Sequence, residues 1–345
     1  MKSFASDNNS GIHPQIIQAI IDVNQGHAVG YGDDERTGEA DLIFRKIFGE
    51  DVRPYYVFNG TGANVVALQA LTRSYQSIIC ATTAHINSDE CGAPVKATGA
   101  VLKPVSTPDG KLTPELIAGE LHELGVQHHS QPQVIYISQS TEMGTVYTVE
   151  EVKAICDFAH SRNLYVHMDG SRLANACAHL GVGLRELSRD CGVDILSFGG
   201  TKNGMMLGEA VIAFRPDRNE SLMYYRKQSA QLYSKMRYLS AQYIAYFHND
   251  LWLQNAAHAN AMAKYLADRI RNLPGVRFTQ KVESNSLFLI LPQPVIQKML
   301  ENYFFYIWNE SANEIRLVCS WDTTPADADA FFERLKTILL QSSTQ

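Results

Sequence analysis

The chain has 345 residues, of which 45% are hydrophobic and 19% charged, and its formal net charge is −6. That length supports a large core and roughly two domains, and the composition is ordinary for a soluble globular protein. The acidic balance excludes a basic field for nucleic acid or anionic lipid, so neither partner is expected, and a charged ligand must be held by a few local cations.

The six cysteines, Cys80, Cys91, Cys156, Cys177, Cys191 and Cys319, form no CxxC pair. Reduced thiols in a cytoplasmic protein fit this better than a disulfide frame or a zinc site. His13, His27 and His179 have no partner at metal-ligand spacing, so no metal is expected. The opening stretch MKSFASDNNSG has no apolar core and does not read as a signal peptide. No apolar run reaches the length of a membrane span.

In chain order, apolar spacing predicts a short helix over 16–23. Residues 26–38 (GHAVGYGDDERTG) are glycine-rich and polar and read as a loop, followed by helical spacing over 39–48. Short apolar runs then predict strands at 55–58, 77–80, 100–104, 134–138, 164–168, 195–198 and 210–214. Helical patterns at 63–71, 114–124 and 149–161 separate several of them. This alternation implies an α/β fold with a mostly parallel sheet of seven strands, flanked by helices, whose ligands bind beyond the strands' carboxyl ends. A long helical region follows from 217 to about 272. Next come strands near 276–278, 286–291, 304–308 and 315–319, a helix near 294–301, and a last helix over 325–340. The expected division is a large unit over 1–250, with an N-terminal arm, and a small α+β unit over 251–345.

Two segments carry the strongest chemical signal. HMDGSR (167–172) follows one buried-strand pattern, and SFGGTKNG (197–204) follows another. Asp169 and Lys202 each fall at or just beyond a strand's end, 202 − 169 = 33 positions apart, about one βαβ unit. A right-handed crossover puts both on one sheet edge. An acid and a lysine so placed suit pyridoxal 5′-phosphate (PLP). The lysine amine forms a Schiff base with the cofactor aldehyde, and the aspartate keeps the pyridine nitrogen protonated. The glycines around Lys202 are expected to let the backbone approach the ring. Taken singly, Asp–Gly is a common turn and a lysine is mostly solvated. NGTGAN (59–64) opens a helix after a strand, so the N–H groups at Gly60 and the hydroxyl of Thr61 suit the cofactor phosphate. Plain helix capping is the alternative.

SFASDNNSG, YGDDERTGE, NGTGAN, AHINSDECGAP, HMDGSRLANA, SFGGTKNG, SKMRYLSAQ and IRLVCSWDTT, in this order, resemble the threonine aldolase / β-eliminating lyase family of fold-type I PLP enzymes. The wording around His85 and Lys202 is closest to the phenylserine aldolase-like, low-specificity branch. The resemblance implies a PLP-dependent transferase-like fold, with the cofactor covalently held on Lys202 and Asp169 as pyridine partner. His85 would stack on the ring, the alternative being a histidine packed in a turn. Arg172 would help hold the substrate carboxylate or the cofactor's phenolic oxygen, and Arg316 would clamp the carboxylate with Ser6 as a further donor, because the planar fork of arginine matches a carboxylate. Glu90 is a candidate for positioning a water or the substrate hydroxyl, and His128 or His129 for holding that hydroxyl. Lys227 and Arg237 would reach the cofactor phosphate from a neighbouring subunit, or else line a solvated helix face. Tyr31 is another candidate contact across subunits. The implied assembly is a homo-oligomer, a dimer or tetramer, with sites at subunit interfaces. The implied reaction is cleavage of threonine, allo-threonine or phenylserine-type substrates to glycine and an aldehyde. β-Elimination from an aromatic or sulfur amino acid is the alternative, and a non-catalytic PLP-binding protein a third.

Overall fold

The computed structural model describes residues 2–342. The large sheet comprises β1 (Pro54–Val57), β2 (Gln76–Ala81), β3 (Val101–Val105), β4 (Gln131–Ser138), β5 (Tyr165–Gly170), β6 (Ile195–Gly199) and β7 (Glu209–Ala213). Its order is β1-β7-β6-β5-β4-β2-β3. Strands β3, β2, β4, β5 and β6 run parallel, while β7 is antiparallel to both β6 and β1.

Except for the edge strand β3, the strands are buried on both faces, which explains their nearly continuous apolar runs. Alternate residues feed two different cores. Tyr56, Ile79, Ile135, Val166, Leu196 and Ile212 face a layer that includes helices Glu35–Phe48, Val149–His160 and Arg237–Phe247. Tyr55, Ile78, Val134, Ile195 and Val211 face the other way, onto helix Gly60–Leu71. That second helix buries small side chains, Ala63, Ala67 and Ala70, which lets it lie close to the sheet.

A second sheet of β8 (Arg277–Phe278), β9 (Ser286–Ile290), β10 (Tyr306–Asn309) and β11 (Glu314–Val318) has the order β10-β11-β9-β8 and is antiparallel throughout. Its core takes residues from helices Leu251–Ile270, Gln293–Leu300 and Pro325–Ser342. Helix Leu251–Ile270 serves both cores: Leu251, Trp252 and Ala256 pack with the large sheet, Ala263, Leu266 and Ile270 with the small one.

The helical region from 217 onward is three helices rather than one, Pro216–Gln228, Arg237–Phe247 and Leu251–Ile270. Left-handed backbone at Ala230, Asn249 and Asp250 interrupts it. The helix expected over 114–124 ends at Gly119. The helix Leu173–Leu180, which the pattern did not single out, is the crossover that joins β5 to β6. Among the described residues, no helix is long and apolar enough to cross a membrane.

Candidate active site

Neighbouring strands β2, β4, β5 and β6 all end at one edge, and the chain beyond each end supplies one wall of a cavity of about 760 Å³. His85 comes from the β2 end, Glu142 from β4, Arg172 from β5 and Lys202 from β6. Ser6 of the N-terminal arm and Arg316 of β11 close it from the small-sheet side.

Asp169 is the last polar group of β5 and is buried. Its Oδ2 accepts from Asn64 Nδ2 at 2.9 Å and Tyr136 Oη at 2.7 Å. Its Oδ1 accepts from the Ser171 backbone N–H at 2.9 Å and from the Ser171 hydroxyl. Burial alone would raise its pKa, but the Lys202 charge and these hydrogen bonds outweigh it and hold the carboxyl well below the usual range. Asp169 is therefore an anion at any physiological pH.

Lys202 lies in the short turn Thr201–Asn203 directly after β6. Its amine has no hydrogen-bond or ion-pair partner among the described residues. Burial and the Arg172 charge lower its pKa and so favour the neutral, nucleophilic amine. The glycines beside it have a packing reason. A Cβ on Gly199 would sit 2.9 Å from Ser171 Cα, so the β5 and β6 ends can come together only over glycine. Gly204 has φ +101, a left-handed turn that leads the chain away from the site.

His85 starts a short helix, and its Nδ1 lies 2.7 Å from Glu90 Oε1. This contact is the main cause of a raised imidazole pKa. Glu90 itself is 4% exposed and does not line the cavity. In this chain its Oε1 holds the histidine, and its expected part in positioning a water or the substrate hydroxyl stays a proposal. Asn64 Nδ2 also donates to Glu90 Oε1 at 2.8 Å, so one amide ties the His85–Glu90 pair to Asp169.

The two arginines differ. Arg172 donates through Nε at 2.7 Å and Nη2 at 2.8 Å to the two oxygens of buried Asp7, which leaves Nη1 without a partner among the described residues. Asn285 steadies the same Asp7 at 3.0 Å. Arg316 has no carboxylate partner. Its Nη2 donates to the Ala5 carbonyl at 3.3 Å, its buried Nε is unpaired, and the guanidinium lies 5.0 Å from the Trp308 ring centre. A guanidinium without an anion beside an open cavity has the donors to take a carboxylate.

Other expected contacts lie elsewhere in this chain. His129 stands at the surface with Nδ1 3.5 Å from Glu123, and His128 is exposed as well. Tyr31 is 54% exposed, with the Lys227 amine 5.3 Å from its ring centre. Arg237 donates to the Gln25 and Gly26 carbonyls. None of these lines the cavity.

The residues present suit PLP. An unpaired amine of lowered pKa opens into the cavity, an anchored carboxylate lies one strand away, and an anion site stands alongside. In helix Gly60–Leu71 the N–H groups of Gly60 and Thr61 have no acceptor among the described residues, and Asn64, one turn on, touches Asp169. Asp7, Asn64, Tyr136 and Glu142 are site residues that the sequence reading did not pick out. For Glu142 there was a usable signal, its position just past the carboxyl end of a parallel strand.

Comparison with known proteins agrees with this geometry. The family model described as beta-eliminating lyase matches residues 3–292. The chain is 44% identical to the low specificity L-threonine aldolase of Pseudomonas aeruginosa over 93% of both chains. It is 42% identical to that of a Pseudomonas species over 94% of both. The solved Leishmania major threonine aldolase superposes with a TM-score of 0.93 at 30% identity, covering 98% of this chain and 100% of the other.

Proposed function

The chain belongs to the beta-eliminating lyase family, and from that premise we propose that it is a PLP-dependent lyase. It cleaves L-threonine, L-allo-threonine and phenylserine-type β-hydroxy-α-amino acids to glycine and an aldehyde. The names of its relatives favour carbon–carbon cleavage over the β-elimination alternative. The observation that carries the reading is the unpaired Lys202 amine opening into the same cavity as the anion-free Arg316 guanidinium, one strand from Asp169.

When bound, the cofactor supplies an electron sink for the pair released at the substrate Cα. Lys202 Nζ is its attachment point. Asp169 holds a proton on the pyridine nitrogen, and the N-terminus of helix Gly60–Leu71 receives the phosphate. Arg316, assisted by Ser6 and the free Nη1 of Arg172, binds the substrate carboxylate. Fixing the carboxylate sets the angle at which the Cα–Cβ bond stands to the ring, and this orientation selects the bond that breaks. His85, steadied by Glu90, covers the ring. Lys227, Arg237, Tyr31 and His129 face outward and, in a homo-oligomer, would serve a neighbouring subunit's site.

A substrate panel tests the reading. The holoenzyme is expected to release glycine and the matching aldehyde from threonine, allo-threonine and phenylserine. Ammonia and a keto acid in their place would make it a β-eliminating enzyme, and no product from any of the three would end the proposal.

A further inference from the structure

The aldolase reading needs a base for the β-hydroxyl proton, and the cavity offers few. His85 has its Nδ1 tied to Glu90 Oε1 at 2.7 Å, and in the proposed function its ring is committed to the cofactor face. His128 and His129 are on the surface. Asp89 is an exposed acid at the cavity mouth that accepts from Ser88 Oγ at 2.9 Å. Lys202 is committed to the cofactor in the proposed function.

Glu142 is the remaining candidate. It lines the cavity beyond the end of β4. Its Oε1 accepts from Ser138 Oγ at 2.7 Å and from the His85 backbone N–H at 2.9 Å. Both of these bonds fall on Oε1, no other residue's donor reaches Oε2 among the described residues, and the carboxylate lines the cavity. The loop that carries it is tightly held. Gln139 Nε2 donates to the Tyr147 carbonyl at 2.7 Å, Gln139 Oε1 accepts from the Tyr147 N–H at 3.1 Å, and the Thr141 and Thr145 hydroxyls meet at 2.7 Å. A carboxylate fixed through one oxygen with the other free has the arrangement of a positioned general base.

Resting on the aldolase reading, we propose that Glu142 Oε2 is the catalytic base that takes the β-hydroxyl proton. The proton passes to Oε2, and the O–H pair becomes the second bond of the aldehyde carbonyl. The Cα–Cβ pair passes to Cα, from which the sink draws it, and in the return direction Glu142 gives the proton back. Burial raises the pKa of this carboxyl first, with the nearby Asp169 charge adding to it, and so makes it a stronger base than a surface glutamate. The charged groups around it are His85, Asp89, Asp169, Arg172, Lys202 and Arg316.

Glu142→Gln keeps the size of the side chain and the acceptor for Ser138 and His85. For E142Q, kcat for threonine cleavage is expected to fall by about 10²–10⁴, the usual contribution of a general base. Two readouts separate chemistry from positioning. Exchange of the glycine Cα proton into heavy water needs no hydroxyl proton and should stay within about threefold, and calorimetric affinity for L-threonine should do the same, both well below the tenfold step that 1.4 kcal/mol represents. Full threonine cleavage by E142Q overturns the role. So does an equal loss of glycine exchange or of threonine affinity, which would make Glu142 only a support for His85. If the wild-type enzyme releases no glycine from threonine, the aldolase reading itself fails, an outcome distinct from normal release by the variant.

Discussion

At the scale of single residues, the site is a chain of buried polar groups tied one to the next, in which Asn64 Oδ1, Glu90 Oε2 and Arg316 Nε keep no partner. Asn64 spends one amide on Glu90 and Asp169, and Tyr136 adds a hydroxyl to the same carboxylate. Asp7 and Arg172 form a buried bidentate pair whose separation would strand a charge. Glu209 behaves differently. It is buried on β7 near Lys202, and burial pushes its pKa up to about 8. In the unfolded chain it ionises near the ordinary 4.5. The protonated native form therefore contributes stability that is complete below about pH 4.5 and is lost as pH rises through about 8. Glu209→Gln removes this dependence. Unfolding free energies from urea titrations between pH 5 and 8 should move in favour of E209Q by an amount on the order of a few kcal/mol. A difference from wild type that stays flat with pH would contradict it. Asp169 and Lys202 were legible in the sequence because each closes a strand-like run. Asn64 and Glu142 are single polar residues with no period of their own; beyond the place of Glu142 past a parallel strand's end, it is the folded edge that brings them to the site.

Among the elements, the N-terminal arm joins the two sheets. The Phe4 N–H donates to the Phe304 carbonyl at 2.8 Å, and the Val318 N–H donates to the Phe4 carbonyl at 2.8 Å. The Phe4 ring is fully buried, 5.1 Å from the Phe331 ring centre. Two residues later Ser6 enters the cavity and Asp7 takes Arg172. Phe4→Ala should cost about 3–5 kcal/mol. Because Arg316 leans on the Ala5 carbonyl, F4A should also raise KM for the amino acid more than it lowers kcat. Urea unfolding with steady-state kinetics checks both, and an unchanged KM would separate the arm from carboxylate binding. All seven strands of the large sheet were visible as apolar runs, and for all but the edge strand β3 burial on both faces demands them. The breaks in the 217–272 region were not, because left-handed residues such as Asn249 and Asp250 look like any polar pair until the backbone is seen.

The whole molecule brings an acid and an amine from one edge of the large sheet together with a free guanidinium from the small sheet. It also leaves Ile17, Ile21 and Leu42 from 41% to 62% exposed on its outer helices, an apolar surface that the proposed homo-oligomer would cover. Tyr31, Lys227, Arg237 and His129 lie outside the cavity of this chain, where the proposed homo-oligomer would bring them to a neighbouring site. The central claim concerns Lys202, and one measurement reaches it directly. The holoenzyme is reduced with borohydride, digested, and the cofactor-bearing peptide located by mass spectrometry. The account predicts the modification on Lys202, within FGGTKNG. Modification of Lys227 or any other lysine, with Lys202 unmodified, would contradict it.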